Sequence, residues 1–246
     1  MFLLIDIGNT KTKWALRDEK NIYEEGIFLT EDIDQDQFKY HSKIKKVCVA
    51  NVAGFEKEAI LKVKLKNFLC PIVFVKLQKT FHHLINHYED PVQLGVDRWL
   101  SAIAVSENKN ETSLIVTMGT AVTIDLVHYD KKLLKSYFEG GLILPGLYLN
   151  KEALSDGTSN LKFVTGDFKV PATNTGDAIE SGFILSVLGC IQFFVNKEKS
   201  NHRTVSIVLS GGDAKLIFKH LDSTLKVLTV VKDDLVLDGL LKFVTH

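Results

Sequence analysis

Three stretches of the chain set glycine beside hydroxyl, amide or carboxylate side chains at the end of an apolar run, which is what phosphate binding needs. In Asp6-Ile7-Gly8-Asn9-Thr10 and in Met118-Gly119-Thr120, a glycine opens a turn whose backbone N–H groups can approach a phosphate closely. Asn9, Thr10 and Thr120 would add side-chain donors. Lys13 lies just past the first turn, where it could touch a phosphate or be a plain surface lysine. Asp6 ends the first run, and its carboxylate could hold Mg²⁺ through waters. The third stretch, Leu209-Ser210-Gly211-Gly212-Asp213-Ala214, puts paired glycines between a strand and a helix, so that a flat adenine ring could lie against backbone. A fourth, Gly95-Val96-Asp97-Arg98-Trp99, opens a helical pattern with an acid and a base side by side. Near a helix N-terminus the macrodipole favours the ionised carboxylate. Taken alone, that pair also fits an ordinary first-turn acid and a surface ion pair. Two phosphate turns and an adenine seat are parts of an ATP-dependent phosphoryl transfer. Neither GxxxxGK[ST] nor GxGxxG occurs, so P-loop and Rossmann readings have no support.

The elements around these segments follow from hydrophobic periodicity. Phe2–Ile7 reads as a central strand, followed by strands over Thr12–Leu16, Asn21–Leu29 and Val47–Asn51. Phe55–Phe68 has helical spacing, Ile72–Val75 is a strand, and Gly95–Glu107 is a helix. After the polar stretch Asn108–Thr112 the pattern begins again, with strands over Leu114–Met118 and Val122–Val127. Gly140-Gly141 and Pro145-Gly146 then punctuate a turn into a helix near Leu147–Leu154. Asp156–Asn174 reads as a loop, Thr175–Lys197 as a long apolar helix, and Val205–Leu209 as a strand. A helix follows Ala214, then a strand over Leu225–Val230 and a helix over Leu235–Phe243.

The two beginnings align without a gap: Leu3 to Thr12 lies on Leu114 to Thr123, strand, glycine turn and strand. A repeat of half the chain length predicts an α/β fold of two similar lobes, residues 1–112 and 113–246, each a mixed β-sheet with flanking helices, around an interlobe cleft.

Bulk properties narrow the setting. The 246 residues carry 30 basic and 30 acidic side chains, a formal net charge of zero, so no basic field exists to hold nucleic acid or an anionic membrane. Three cysteines without a CxxC pair fit a reducing compartment. The apolar run Gly182–Val195 is too short for a membrane span, and the first residues lack the basic flank of a signal peptide. A soluble, cytoplasmic protein is expected. His82, His83 and His87 have no cysteine or HExxH companion and read as solvated histidines. Trp14 and Trp99 read as packing residues, and Phe193-Phe194 as core or dimer contact.

The motifs and their order resemble the acetate and sugar kinase/Hsc70/actin superfamily, and the actin-like (ribonuclease H-like) lobe is what that resemblance implies. Tyr88-Glu89-Asp90-Pro91-Val92-Gln93-Leu94-Gly95-Val96-Asp97-Arg98 is similar to the Tyr…Pro…Leu-Gly-x-Asp-Arg segment of type III pantothenate kinases. Gly119 to Asp125, Gly140 to Gly146, Asn174 to Ile179 and Gly211 to Ala214 resemble the same family in the same order. The resemblance implies phosphorylation of pantothenate to 4′-phosphopantothenate by ATP and Mg²⁺, with Asp97 as general base. Arg98 would pair with the pantothenate carboxylate, and Tyr88 and Gly95 would line that pocket. It also implies a homodimer with a shared active site, in which Thr175 comes from the neighbouring subunit. Asp125 matches the ligand of a monovalent cation, K⁺ or NH₄⁺. In the superfamily the second phosphate turn starts with aspartate; here that position is Thr117, so the divalent ion would rest on Asp6 and the nucleotide. Two other functions suit the same pattern: a non-catalytic relative serving as a transcription accessory factor, and a kinase of another small molecule.

Overall fold

Leu3, Leu4, Ile5 and Ile7 are all buried, as a central strand covered on both faces requires. The structure is a computed structural model and describes residues 1–35, 38, 42–106, 111–158 and 164–245. It forms two compact units, Met1–Glu107 with Asp234–His246, and Asn108–Asp233. Residues 108–110 of the polar stretch and 159–163 of the expected loop lie outside the described residues.

In the first unit β1 (Phe2–Ile7), β2 (Lys11–Arg17) and β3 (Ile22–Leu29) form an antiparallel meander. Strand β4 (Lys46–Asn51) pairs parallel with β1, and after α1 (Phe55–Lys64) comes β5 (Ile72–Phe74), parallel to β4. The sheet order is therefore β3-β2-β1-β4-β5. Leu3, Ile5, Ile7, Val47 and Val49 pack with Leu61 and Leu65 in one core. The expected Phe55–Phe68 helix is α-helical only to Lys64 and tightens into a 3₁₀ turn over Leu65–Asn67. A short hairpin of β6 (Thr80–Phe81) and β7 (Leu84–Asn86) precedes α2 (Val96–Ser106).

The second unit repeats the plan. Strands β8 (Thr112–Met118), β9 (Ala121–Asp130) and β10 (Lys135–Pro145) are again an antiparallel meander. Helices α3 (Leu147–Gly157) and α4 (Thr175–Ser200) lead to β11 (Val205–Gly211), parallel to β8. Helices α5 (Ala214–His220) and α6 (Ser223–Val227) lead to β12 (Thr229–Lys232), parallel to β11. The order β12-β11-β8-β9-β10 mirrors the first sheet strand for strand, as the internal repeat predicts. The gapless alignment fails only at the hairpin tip. Four residues separate the paired Ile7 and Thr12, but three separate Met118 and Val122.

Two expectations are corrected. Gly140-Gly141 is no turn but lies inside β10, where the register shifts between Phe138 and Gly140 and Gly140 has φ 100°. Glycine supplies that bulge at no steric cost. The strand expected over Leu225–Val230 starts only at Thr229, because the Asp222 carboxylate caps Leu225 N (2.8 Å) and nucleates α6 first.

Helix α4 is 26 residues long, and by length and composition it could cross a membrane, unlike the shorter run read from sequence. Phe183, Ile184, Val187, Ile191 and Phe194 on one face are packed in the second core. The last helix, α7 (Leu235–Thr245), belongs to the first unit, packed on α2 and β1, whereas the half-length repeat assigns it to 113–246. Gly239 permits this: a Cβ there would collide with the backbone of Leu100.

Candidate active site

In the first unit, Asp6 sits at the end of β1, paired in register with Lys13 of β2, and the turn between them closes through Gly8 N to Lys11 O (3.1 Å). Asn9 and Thr10 are exposed at its tip. A Cβ on Gly8 would press on the Lys11 carbonyl. Asp97 stands in the first turn of α2, whose next residues Trp99 and Leu100 are fully buried. Burying a Trp side chain contributes roughly 4 kcal/mol, enough to fix where the helix start points. The Asp97 carboxylate accepts from Arg98 N (2.9 Å), and a Cβ on Gly95 would run into it. Glycine at 95 is thus a packing requirement of the acid two residues on.

Arg98 is buried, donates to Tyr88 Oη at 2.9 Å, and lies over the Tyr88 ring at 5.5 Å from its centroid. The tyrosine is itself placed by Asn86, whose Oδ1 accepts from Tyr88 N (2.9 Å). Asn86 is fully buried, and its Nδ2 has no hydrogen-bond partner. A buried unmatched donor next to the Tyr88–Arg98 pair is a place for ligand or water, and nothing in the sequence singles it out beyond its position before Tyr88.

Electrostatics tie these residues together. Asp6 is pushed up to about 8 by burial first, then by the negative charges of Asp234 and Asp97, with Lys13 opposing. Asp97 is also raised, chiefly by burial, while its hydrogen bond from the Arg98 backbone and the Arg98 charge pull it down. Burial therefore opposes the ionised form that a helix N-terminus favours. Asp234 is a member of this charge cluster that sequence reasoning misses. Its Oδ2 accepts from Lys13 Nζ at 2.7 Å and its Oδ1 from Leu237 N at 3.0 Å, capping α7. An aspartate just before an apolar-periodic segment is a legible N-cap, but its meeting with Lys13 is not.

In the second unit, the two glycine segments lie at the ends of neighbouring strands. Gly119 N bonds Ala121 O (3.0 Å), and Gly212 N bonds Met118 O (2.9 Å). Gly211 has φ 94° and sits against the Met118 backbone with no room for a Cβ. Thr120 accepts from Gly146 N through its carbonyl (2.9 Å), seating the start of α3 on this turn. Asp125 lies three register pairs back along β9, ~10 Å from the turn, and is buried. Gly141 stands opposite it, and a Cβ there would strike the Asp125 carboxylate. Asp125 is thus apart from the glycine segments, packed so closely against the strand opposite that only glycine fits at 141.

Thr175 begins α4 behind the Asn174 cap, which accepts from Asp177 N (2.9 Å). Asp177 draws the preceding segment onto the helix: it accepts from Lys169 Nζ (2.8 Å), Asp167 N (2.8 Å) and Asn174 Nδ2 (2.8 Å). These donors hold its carboxyl down at about 2. Thr175, Ala178, Gly182 and Ser186 line a cavity of about 480 Å³ against Asn150 and Leu154 of α3. Leu185 and Phe193 continue that exposed face of α4, at 44% and 63% exposure.

His83 bonds the Ser106 carbonyl (2.7 Å), and among the described residues no group of three or more His, Cys, Asp or Glu could hold a metal ion. Trp99 is core; Trp14 packs on Phe38.

The sequence model of the type III pantothenate kinase family matches residues 2–197. A type III pantothenate kinase of Acinetobacter baumannii (strain ACICU) is 34% identical over 252 residues, with 99% of this chain and 97% of the relative covered. One from Methylobacillus flagellatus is 33% identical, covering 97% and 95%. Among solved structures, a Campylobacter jejuni protein described as a candidate Baf family transcriptional activator superposes with a TM-score of 0.65. It is 21% identical, with 99% of this chain and 97% of that one covered. At that identity the match speaks for the fold.

Proposed function

The chain belongs to the type III pantothenate kinase family, and on that premise we propose how its residues perform the transfer of the ATP γ-phosphoryl group to pantothenate, the first step of coenzyme A synthesis. The primary alcohol oxygen of pantothenate attacks the γ-phosphorus. The bond from that phosphorus to the β,γ-bridging oxygen breaks, ADP leaves, and 4′-phosphopantothenate forms. The alcohol proton passes to the Asp97 carboxylate, the general base. Burial raises the basicity of Asp97, which brings a carboxylate closer to the operating pH. Arg98 pairs with the pantothenate carboxylate, in a place already fixed by Tyr88, and Tyr88, Gly95 and Thr175 complete the substrate contacts.

Asp6, Gly8, Asn9, Thr10 and Lys13 bind the nucleotide in the first unit, and Gly119, Thr120, Gly211 and Gly212 in the second. Asp6 suits a divalent ion: its carboxylate is raised by burial and by neighbouring acids, charge that a cation would relieve. Mg²⁺ supplies neutralisation of phosphate charge. Asp125, buried against Gly141, would hold K⁺ or NH₄⁺. Thr175 would serve the pocket of a neighbouring subunit in a cytoplasmic homodimer, a reading supported by the exposed apolar face of α4.

The single observation that carries this reading is the half-buried Asp97 beside the Arg98–Tyr88 pair, in the same unit as the Asp6 turn. The test is ATP-dependent phosphorylation of pantothenate by purified protein with Mg²⁺ and K⁺, NH₄⁺ or Na⁺. Turnover requiring K⁺ or NH₄⁺ is expected, and Asp97→Asn should lower kcat about 10²–10⁴-fold. Undiminished turnover in Asp97→Asn removes that residue from the mechanism; no turnover with any ion removes the function.

A further inference from the structure

The Lys13–Asp234 ion pair joins residues 221 apart in sequence. Lysine is a flexible stem with three N–H donors, and holding it in one place costs rotamer entropy. Here that ordering is already done by a partner that is itself fixed. One Asp234 oxygen caps α7 through Leu237 N, and the other accepts from Lys13. The cap in turn is fixed because α7 lies against α2, with Gly239 on the Leu100 backbone and Leu237 and Leu240 buried. Lys13 keeps a third of its side chain accessible, and it stands opposite Asp6, next to the glycine turn.

A second ion pair shows what mere docking of the helix looks like. Arg17 and Asp238 join the same two elements at 2.9 Å. Arg17 is four residues further along β2, ~13 Å from Lys13, and pairs in register with Phe2 rather than with Asp6. Both pairs hold α7 to β2; only one has its cation on the residue opposite Asp6, whose carboxylate feels that charge.

We propose that Asp234 is a positioning residue for catalysis: it holds the Lys13 ammonium beside the first glycine turn, ready for the terminal phosphates of ATP. The inference rests on the ATP-dependent reading above and adds to it a residue from the far end of the chain.

The test is calorimetric titration of Mg²⁺-ATP into five proteins: wild type, Asp234→Asn, Lys13→Met, the double variant, and Asp238→Asn. Asparagine caps helices about as well as aspartate, so Asp234→Asn removes the charge and spares the cap. ATP affinity should fall about 5–10-fold in Asp234→Asn, a loss of about 1 kcal/mol typical of one charged contact. Lys13→Met should lose at least as much, and the double variant no more than Lys13→Met alone. Asp238→Asn should change affinity less than about twofold, as surface-pair losses do. In turnover, Asp234→Asn should change kinetic constants for ATP and leave the pantothenate KM as it was.

Additive losses in the double variant overturn the proposal, as does an equal loss in Asp238→Asn. Tighter ATP binding by Asp234→Asn also overturns it, because Asp234 would then be competing with phosphate for the lysine. Should Asp234→Asn not fold, Asp234→Glu keeps the charge but displaces the ammonium; a smaller loss of affinity supports positioning, and wild-type affinity refutes it. Binding needs no turnover, so a wild type that binds ATP without phosphorylating pantothenate breaks the functional reading and leaves this test intact. A wild type that binds no ATP ends both.

Discussion

Gly239→Ala gives the structure a sign to predict. In an exposed helix interior, replacing glycine by alanine stabilises by about 0.8–1 kcal/mol, because glycine loses more backbone entropy on folding. Gly239 lies within α7, so propensity alone favours the change. The added Cβ would, however, sit inside the van der Waals surface of the Leu100 carbonyl and Cα, which are backbone atoms and cannot rotate away. Helix α7 must then lift from α2 and loosen the packing of Leu235, Leu240 and Leu241, all buried. Overpacking of this kind costs about 1–3 kcal/mol, and more where only backbone can move. Offsetting the propensity gain against the upper part of that range leaves a net loss of about 1–2 kcal/mol. The displacement also carries Asp234 away from Lys13, so ATP affinity should fall with stability. The assay is urea unfolding followed by circular dichroism, with ATP titration on the folded variant. A Gly239→Ala protein as stable as wild type, or more so, refutes the close approach of α7 to α2 and with it the placement of Asp234.

Three further outcomes follow from other contacts. Asp6 is raised to about 8 by burial and neighbouring acids. The unfolded chain therefore releases that proton first, near pH 4, so the stabilisation from protonated Asp6 is whole below pH 4 and is lost by about pH 8. Relative to Asp6→Asn, wild type should lose ~2–5 kcal/mol across that window in urea unfolding, since one proton held only by the folded state changes stability by up to about 1.4 kcal/mol for each step of one in pH; parallel pH curves would contradict it. Gly211→Ala, at φ 94° and against the Met118 backbone, should cost at least about 2 kcal/mol, whereas Gly212→Ala, with open space around it, should cost under about 0.5 kcal/mol in the same assay. Asp125→Asn should remove the dependence of turnover on K⁺ or NH₄⁺ while the circular dichroism spectrum is unchanged; retained K⁺ activation would place the ion elsewhere.

Much of the fold is written locally. The apolar run Phe2–Ile7 ending in Asp6 and Gly8, and its echo at Leu114–Gly119, mark the central strand of each unit and the half-length repeat. Both meanders and both parallel partners then appear in the same order. Asp97 and Arg98 are legible because acid, base and glycine cluster at a helix start. The errors come where glycine and strand signals have two readings. Gly140-Gly141 looks like a turn in sequence and is a bulge in β10, since only a neighbouring strand tells a bulge from a loop. Leu225–Val227 has strand-like composition, but one side-chain cap at Asp222 tips it into helix.

By itself the sequence determined the types of chemical group, their order along the chain and the strands that end beside them, because hydrophobic period and turn chemistry act over a few residues. Tertiary structure alone decided that α7 returns to the first unit, that Asp234 meets Lys13, and that burial raises Asp97. These depend on desolvation and on contacts between segments far apart in the chain, and no local pattern carries that information.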